Sequence, residues 1–193
     1  MKLDILLETI RCEGGRAHYL PYHQRRLELS LQRMGSNASY NLSKLITPPD
    51  DGLYRCRFLY TPISFSIEFH PYTPKKISTL RLIHTDTLNY SFKYAHRDSL
   101  NTLFEQRNGC DDILIVKNNL ITDTSIANIA FLLDGRWFTP KSPLLKGTTR
   151  ARLIDEGKIK IAHLRPSDIN NSSKIALMNA MIGWVEMENG IIV

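Results

Sequence analysis

Long apolar runs are missing from this 193-residue chain. That excludes a membrane-spanning helix, which needs about 20 consecutive apolar residues. The opening MKLDILLETI carries Asp4 and Glu8 where an export signal would be purely apolar, so the expected compartment is the cytoplasm. Cysteine is scarce. Cys12, Cys56 and Cys110 are odd in number, far apart and form no Cys-x-x-Cys pair, which argues against a disulfide framework and a zinc site. Reduced, structural thiols and no metal are expected. Blocks of like charge are absent too: the net charge of +6 is scattered, with no run of five. A basic pocket for a small anion explains that charge as well as nucleic acid does, and nucleic acid is not the expected partner. Repeats and low-complexity tracts are also lacking.

What the chain does have is enough apolar residue, 42%, to bury a core as one domain or two small lobes. LDILLETIRCEGGRAHYL reads as two strands around a Gly14-Gly15 turn, and PYHQRRLELSLQRMG as a helix with Pro21 in its first turn and Leu27, Leu31 and Met34 on one face. LYRCRFLYTPISFSIEFHPY alternates like strands, and Pro71 and Pro74 mark a linker. A division into residues 1–74 and 75–193 is expected, with Lys93 in the second part. That part offers the strand STLRLIHTD and a helix in RDSLNTLFEQRNG, then three strands in residues 111–140, turning at Asn118-Asn119 and Asp134-Gly135. A short helix in GTTRARLIDEG and a strand-like tail complete it. Irregularly interspersed helices favour α+β over a doubly wound sheet.

Three places combine reactive groups with turn geometry. In LNYSFKYAHRD, Lys93 sits among aromatic neighbours. Either its stem packs while the ammonium stays wet, or the amine is held inward for chemistry, since a buried lysine must be desolvated or lose its proton. In TDTSIAN, Asp123 follows one apolar strand and Asn128 opens another, which makes them turn residues or the lining of a pocket. In LLKGTTRARL, Gly147, Thr148 and Thr149 precede a helix, as a plain cap or as an anion site built on its free N–H groups.

Taken in order, these pieces resemble the fold-type IV pyridoxal-phosphate enzymes, the class IV aminotransferase family, over most of the chain. ETIRCEGGRAHYLPYHQRRL is similar to the family's opening strand pair and its His-x-x-Arg-Leu helix, here His23 to Leu27. Lys93, TDTSIANIAF and GRWFTPKSPLLKGTTR follow in family order. The resemblance implies a two-lobed α+β fold like that of D-amino-acid aminotransferase, a cofactor cleft between the lobes, pyridoxal 5′-phosphate as cofactor and a homodimer. It implies that Lys93 forms the Schiff base and moves the proton, that Asp123 faces the pyridine nitrogen, and that Arg26 with the Gly147, Thr148 and Thr149 turn holds the phosphate. Asn128 belongs to the Asp123 loop.

Arg97, four places after the lysine, and Asn179 in LMNAMIGWVEM resemble the family's 4-amino-4-deoxychorismate lyases, which release 4-aminobenzoate and pyruvate. A dicarboxylate substrate suits a basic pocket, for which Arg55, Arg57 and Arg97 are candidates, with Asn179 beside them. An aminotransferase acting on a branched-chain or D-amino acid is the alternative, and a non-catalytic cofactor- or anion-binding protein is the second. The chain departs from the family in a shortened N-terminal lobe and in Asp123 where the family has glutamate, shorter in reach by about 1.5 Å.

Overall fold

The computed structural model describes residues 4–192. The chain forms two compact units, Met1–Pro74 with Phe92–His96, and Lys75–Ser91 with Arg97–Val193. The division after residue 74 agrees with the Pro71 and Pro74 linker, but Lys93 falls in the first unit. The reason is main-chain pairing: Leu7 N donates to Lys93 O at 2.9 Å and Ala95 N to Ile5 O at 2.8 Å.

In the first unit β1 (Leu6–Glu13) and β2 (Arg16–Ala17) flank Gly14 and Gly15, whose φ values of 54° and 70° lie in the left-handed region that glycine adopts without strain. Helix α1 (Leu20–Arg33) carries a proline in its first turn and buries His23, Leu27, Ser30 and Leu31. A short helix α2 (Leu42–Leu45), not foreseen from the sequence, is capped by Asn41, whose side chain accepts from Ser43 N and Lys44 N. Strands β3 (Leu53–Tyr60) and β4 (Phe65–Pro71) complete an antiparallel sheet in the order β2-β1-β3-β4. Its inner face brings Leu6, Ile10, Cys12, Cys56, Phe58 and Tyr60 onto Leu27 and Leu31 of α1. Each such leucine, fully buried, contributes about 1.5–3 kcal/mol.

In the second unit β5 (Leu80–His84) precedes helix α3 (Asp98–Phe104), which ends in a 3-10 turn. Residues 111–140 form four strands where three were expected: β6 (Asp112–Lys117), β7 (Leu120–Thr124), β8 (Asn128–Leu133) and β9 (Arg136–Pro140). The extra strand arises because TDTSIAN is itself a tight hairpin turn, Thr124 N donating to Ala127 O at 2.9 Å. Helix α4 (Thr148–Asp155) leads to β10 (Lys160–Ala162), then β11 (Lys174–Asn179), β12 (Gly183–Glu188) and β13 (Ile191–Ile192). The strand order β10-β9-β8-β7-β6-β5-β13, with β11 paired to β8 and β12, makes a mixed sheet. Parallel pairs occur at β5–β6, β5–β13 and β9–β10. Its core joins Leu80, Leu114, Val116, Ile129, Phe131, Ile175 and Leu177. Few helices set irregularly against mixed sheets make the α+β class. Among the described residues no helix is long and apolar enough to cross a membrane.

Candidate active site

In the second unit Asp123 ends an apolar strand and pairs in register with Asn128. Its side chain is buried, 4% exposed. Oδ1 accepts from Asn128 Nδ2 at 2.7 Å and Oδ2 from Leu145 N at 2.9 Å. Burial outweighs these bonds and the nearby Arg150 guanidinium, pushing the carboxyl up to about 7.

Asn128 ties that carboxylate to the next turn, because its other amide hydrogen goes to Leu145 O at 2.8 Å. Its Oδ1 lies against Gly147 so closely that a Cβ there would stand 1.9 Å from it, which explains the glycine. Gly147 is the N-cap of α4 and supplies no side-chain cap, so the N–H groups of Thr148, Thr149 and Arg150 precede the first intrahelical bond, from Ala151 N to Gly147 O. Arg150, 6% exposed, anchors the helix start: Nε donates to Thr139 Oγ1 at 3.2 Å and Nη2 to Pro140 O at 2.7 Å. Burial lowers its pKa and Asp123 opposes that shift.

The Ser125-Ile126 turn beside Asp123 is tethered from three sides. Arg97 Nη2 donates to Ser125 O at 2.8 Å, Asn179 Nδ2 to Ile126 O at 3.2 Å, and Ser125 N to Asp112 Oδ1 at 3.4 Å. Arg97 and Asn179, singled out for substrate, thus hold adjacent carbonyls of one turn. Burial pushes the Asp112 carboxyl up.

In the first unit Lys93 is half-buried. Its flanking Phe92 and Tyr94 meet edge-on at 5.9 Å, and Arg33 lies over the Phe92 ring at 4.7 Å. Beside this segment is a polar cluster that sequence reasoning missed. Glu8 is 0% exposed on the inner face of β1. It receives Arg26 Nε on Oε1 at 2.8 Å, and both Arg26 Nη2 and His23 Nδ1 on Oε2, the latter at 2.6 Å. Burial alone would raise the Glu8 pKa, but the charge and hydrogen bonds of Arg26 and the His23 bond prevail and hold it at about 2. His23, 1% exposed, is pushed down chiefly by burial, with smaller contributions from the Arg26 and Lys93 charges. The signal was present: Leu6, Glu8, Ile10 and Cys12 alternate inward, so a charge at the second position is an anomaly.

Arg55 and Arg57 stand on the other face of that sheet. Arg57 pairs with Thr9 and Arg55 with Arg11, one step out of phase with the inward Glu8 and Ile10. Arg57 is bound to Glu68 at 2.7 Å, and Arg55 is exposed. On one chain they point away from Glu8 and Arg26.

Asp123, Asn128 and the Gly147 turn thus lie together in the second unit, and Lys93, Glu8, His23 and Arg26 in the first. The chain belongs to the class IV amino-transferase family, whose model matches residues 65–189. An uncharacterized protein of Haemophilus influenzae (strain ATCC 51907 / DSM 11121 / KW20 / Rd) is 39% identical over 92% of this chain and 98% of its own. The crystal structure of a "putative 4-amino-4-deoxychorismate lyase" from Haemophilus somnus 129pt has a TM-score of 0.87 and 35% identity, covering 95% of this chain and 99% of that one. A "Putative aminodeoxychorismate lyase" of Schizosaccharomyces pombe (strain 972 / ATCC 24843) is 29% identical over 93% of this chain and 87% of its own.

Proposed function

We propose that this chain is a pyridoxal 5′-phosphate-dependent lyase that converts 4-amino-4-deoxychorismate to 4-aminobenzoate and pyruvate, the step that supplies the aromatic acid of folate, as a cytoplasmic homodimer. The observation that carries the cofactor assignment is Asp123: a carboxyl fully buried, pushed up to about 7 and braced by Asn128 and Leu145 suits a protonated ring nitrogen better than any neutral ligand. The uncapped Gly147 turn and the Arg26 guanidinium suit a phosphate dianion. The residues therefore fit the group. When bound, the cofactor supplies an electron sink for the pair released at the substrate carbon.

The chain's own residues do the rest. Asp123 keeps the proton on the ring nitrogen. Arg26 and the N–H groups of Thr148 and Thr149 orient the phosphate. Lys93 Nζ would take the proton from the substrate ring carbon that bears the amine; the C–O bond to the side chain then breaks, completing the aromatic ring, and the expelled enolpyruvate takes up a proton to become pyruvate. Arg97 and Asn179 fix the Ser125-Ile126 turn beside Asp123, and the lyase reading rests on those two residues and on the names of the relatives. Purified protein loaded with the cofactor and mixed with enzymatically made aminodeoxychorismate should release 4-aminobenzoate and pyruvate in equal amounts. Transfer of an amino group to a keto acid, with no 4-aminobenzoate, would establish the aminotransferase instead.

A further inference from the structure

The Glu8 cluster has a use beyond fixing a side chain. Arg26 reaches Glu8 with Nε and Nη2 together, and the carboxylate, 0% exposed, receives His23 as well. A buried carboxylate with three donors is a permanent anion, so the guanidinium beside it already carries its counter-charge. An incoming anion meets directional N–H groups but little net positive charge. Free phosphate gains little from such a partner. A phosphate ester attached elsewhere by other bonds gains the geometry and needs no more.

We propose that Glu8 is a specificity-determining residue, an internal counter-anion that keeps Arg26 from capturing free inorganic phosphate while leaving it aligned for the phosphate of a ligand held by further contacts. This rests on the assignment of Arg26 to the cofactor phosphate. Removing the Glu8 charge leaves a mostly buried cation, 15% exposed, without its counter-ion, and the cheapest replacement is an anion from solution. The neutral isostere in Glu8→Gln should therefore bind inorganic phosphate at least about tenfold more tightly than wild type, despite looser alignment.

The test is thermal unfolding of the cofactor-free protein in chloride buffer against the same buffer with inorganic phosphate, with isothermal titration as the direct measure. Wild type should respond to phosphate no more than an Arg26→Met variant does. E8Q should melt lower in chloride and recover several degrees in phosphate, and the recovery should vanish in the E8Q/R26M double variant. Glu8→Asp, which keeps the charge, should behave as wild type. A folded E8Q indifferent to phosphate overturns the proposal, and so does a wild type that takes up phosphate as tightly as E8Q. Should E8Q fold in neither buffer, the wild-type titration decides: Arg26-dependent uptake overturns the proposal and indifference upholds it. Wild type that fails to take up pyridoxal 5′-phosphate would sink the cofactor assignment, while the phosphate measurements would still judge Glu8.

Discussion

Asp123→Asn removes a charge at nearly constant size, and the surroundings of Asp123 give the change two effects of opposite sign. In the cofactor-free protein the carboxyl is raised from its ordinary 3.8 to about 7. Below pH ~4 it is protonated whether folded or unfolded, so it adds no pH dependence. As pH rises toward ~7 the unfolded chain ionises at this position while the folded one keeps its proton, and the folded state loses ground throughout that window. About three pH units at about 1.4 kcal/mol each give a loss of up to about 4 kcal/mol, complete above pH ~7. Urea unfolding of both proteins between pH ~4 and ~8 measures it. The wild-type stability should fall relative to that of Asp123→Asn across the window. A constant difference between the two curves would refute the account of Asp123 as a desolvated carboxyl. With cofactor bound the sign reverses. If Asp123 faces the ring nitrogen as proposed, a pair at about 4 Å would be worth about 4 kcal/mol at an effective dielectric of ~20, so the Asn variant should turn over about a thousandfold more slowly. Unchanged turnover would leave Asp123 a turn residue only.

Lys93→Ala should abolish turnover while cofactor binding through the phosphate persists in a form that washes out, followed by visible absorbance before and after dialysis. Gly147→Ala drives a Cβ to 1.9 Å from Asn128 Oδ1, so the turn must shift. Cofactor affinity should drop and unfolding free energy fall by about 1–3 kcal/mol, read by titration and urea unfolding. Glu8, held down at about 2, contributes stability that is present above pH ~4.5 and lost as pH falls toward ~2, about 3 kcal/mol in all. Acid unfolding of wild type should show that loss, and Glu8→Gln should lack it.

The sequence by itself determined the elements whose causes are local. Gly14-Gly15, Asn118-Asn119 and Asp134-Gly135 take left-handed φ values in hairpin turns, so those strands were readable from turn chemistry alone. Helix α1 was readable from Pro21 and the spacing of Leu27 and Leu31. Tertiary structure decided what the partners of these residues are. Lys93 lies with the first unit because its main chain pairs with Leu7, a contact across 86 residues of sequence that no local pattern encodes. β10 was not seen because three residues with one outward isoleucine carry no periodicity; its pairing with β9 makes it a strand. Glu8 counted in the sequence only as a charge that argues against an export signal; its role appears once α1 lies across β1 and brings His23 and Arg26 within hydrogen-bonding distance. Arg55 and Arg57 looked like neighbours of the site until the two-residue period of β3 put them on the far face of the sheet. A charge declares its type in sequence, but its role depends on which face it leaves and which groups meet it there. Those are fixed only when distant segments pack.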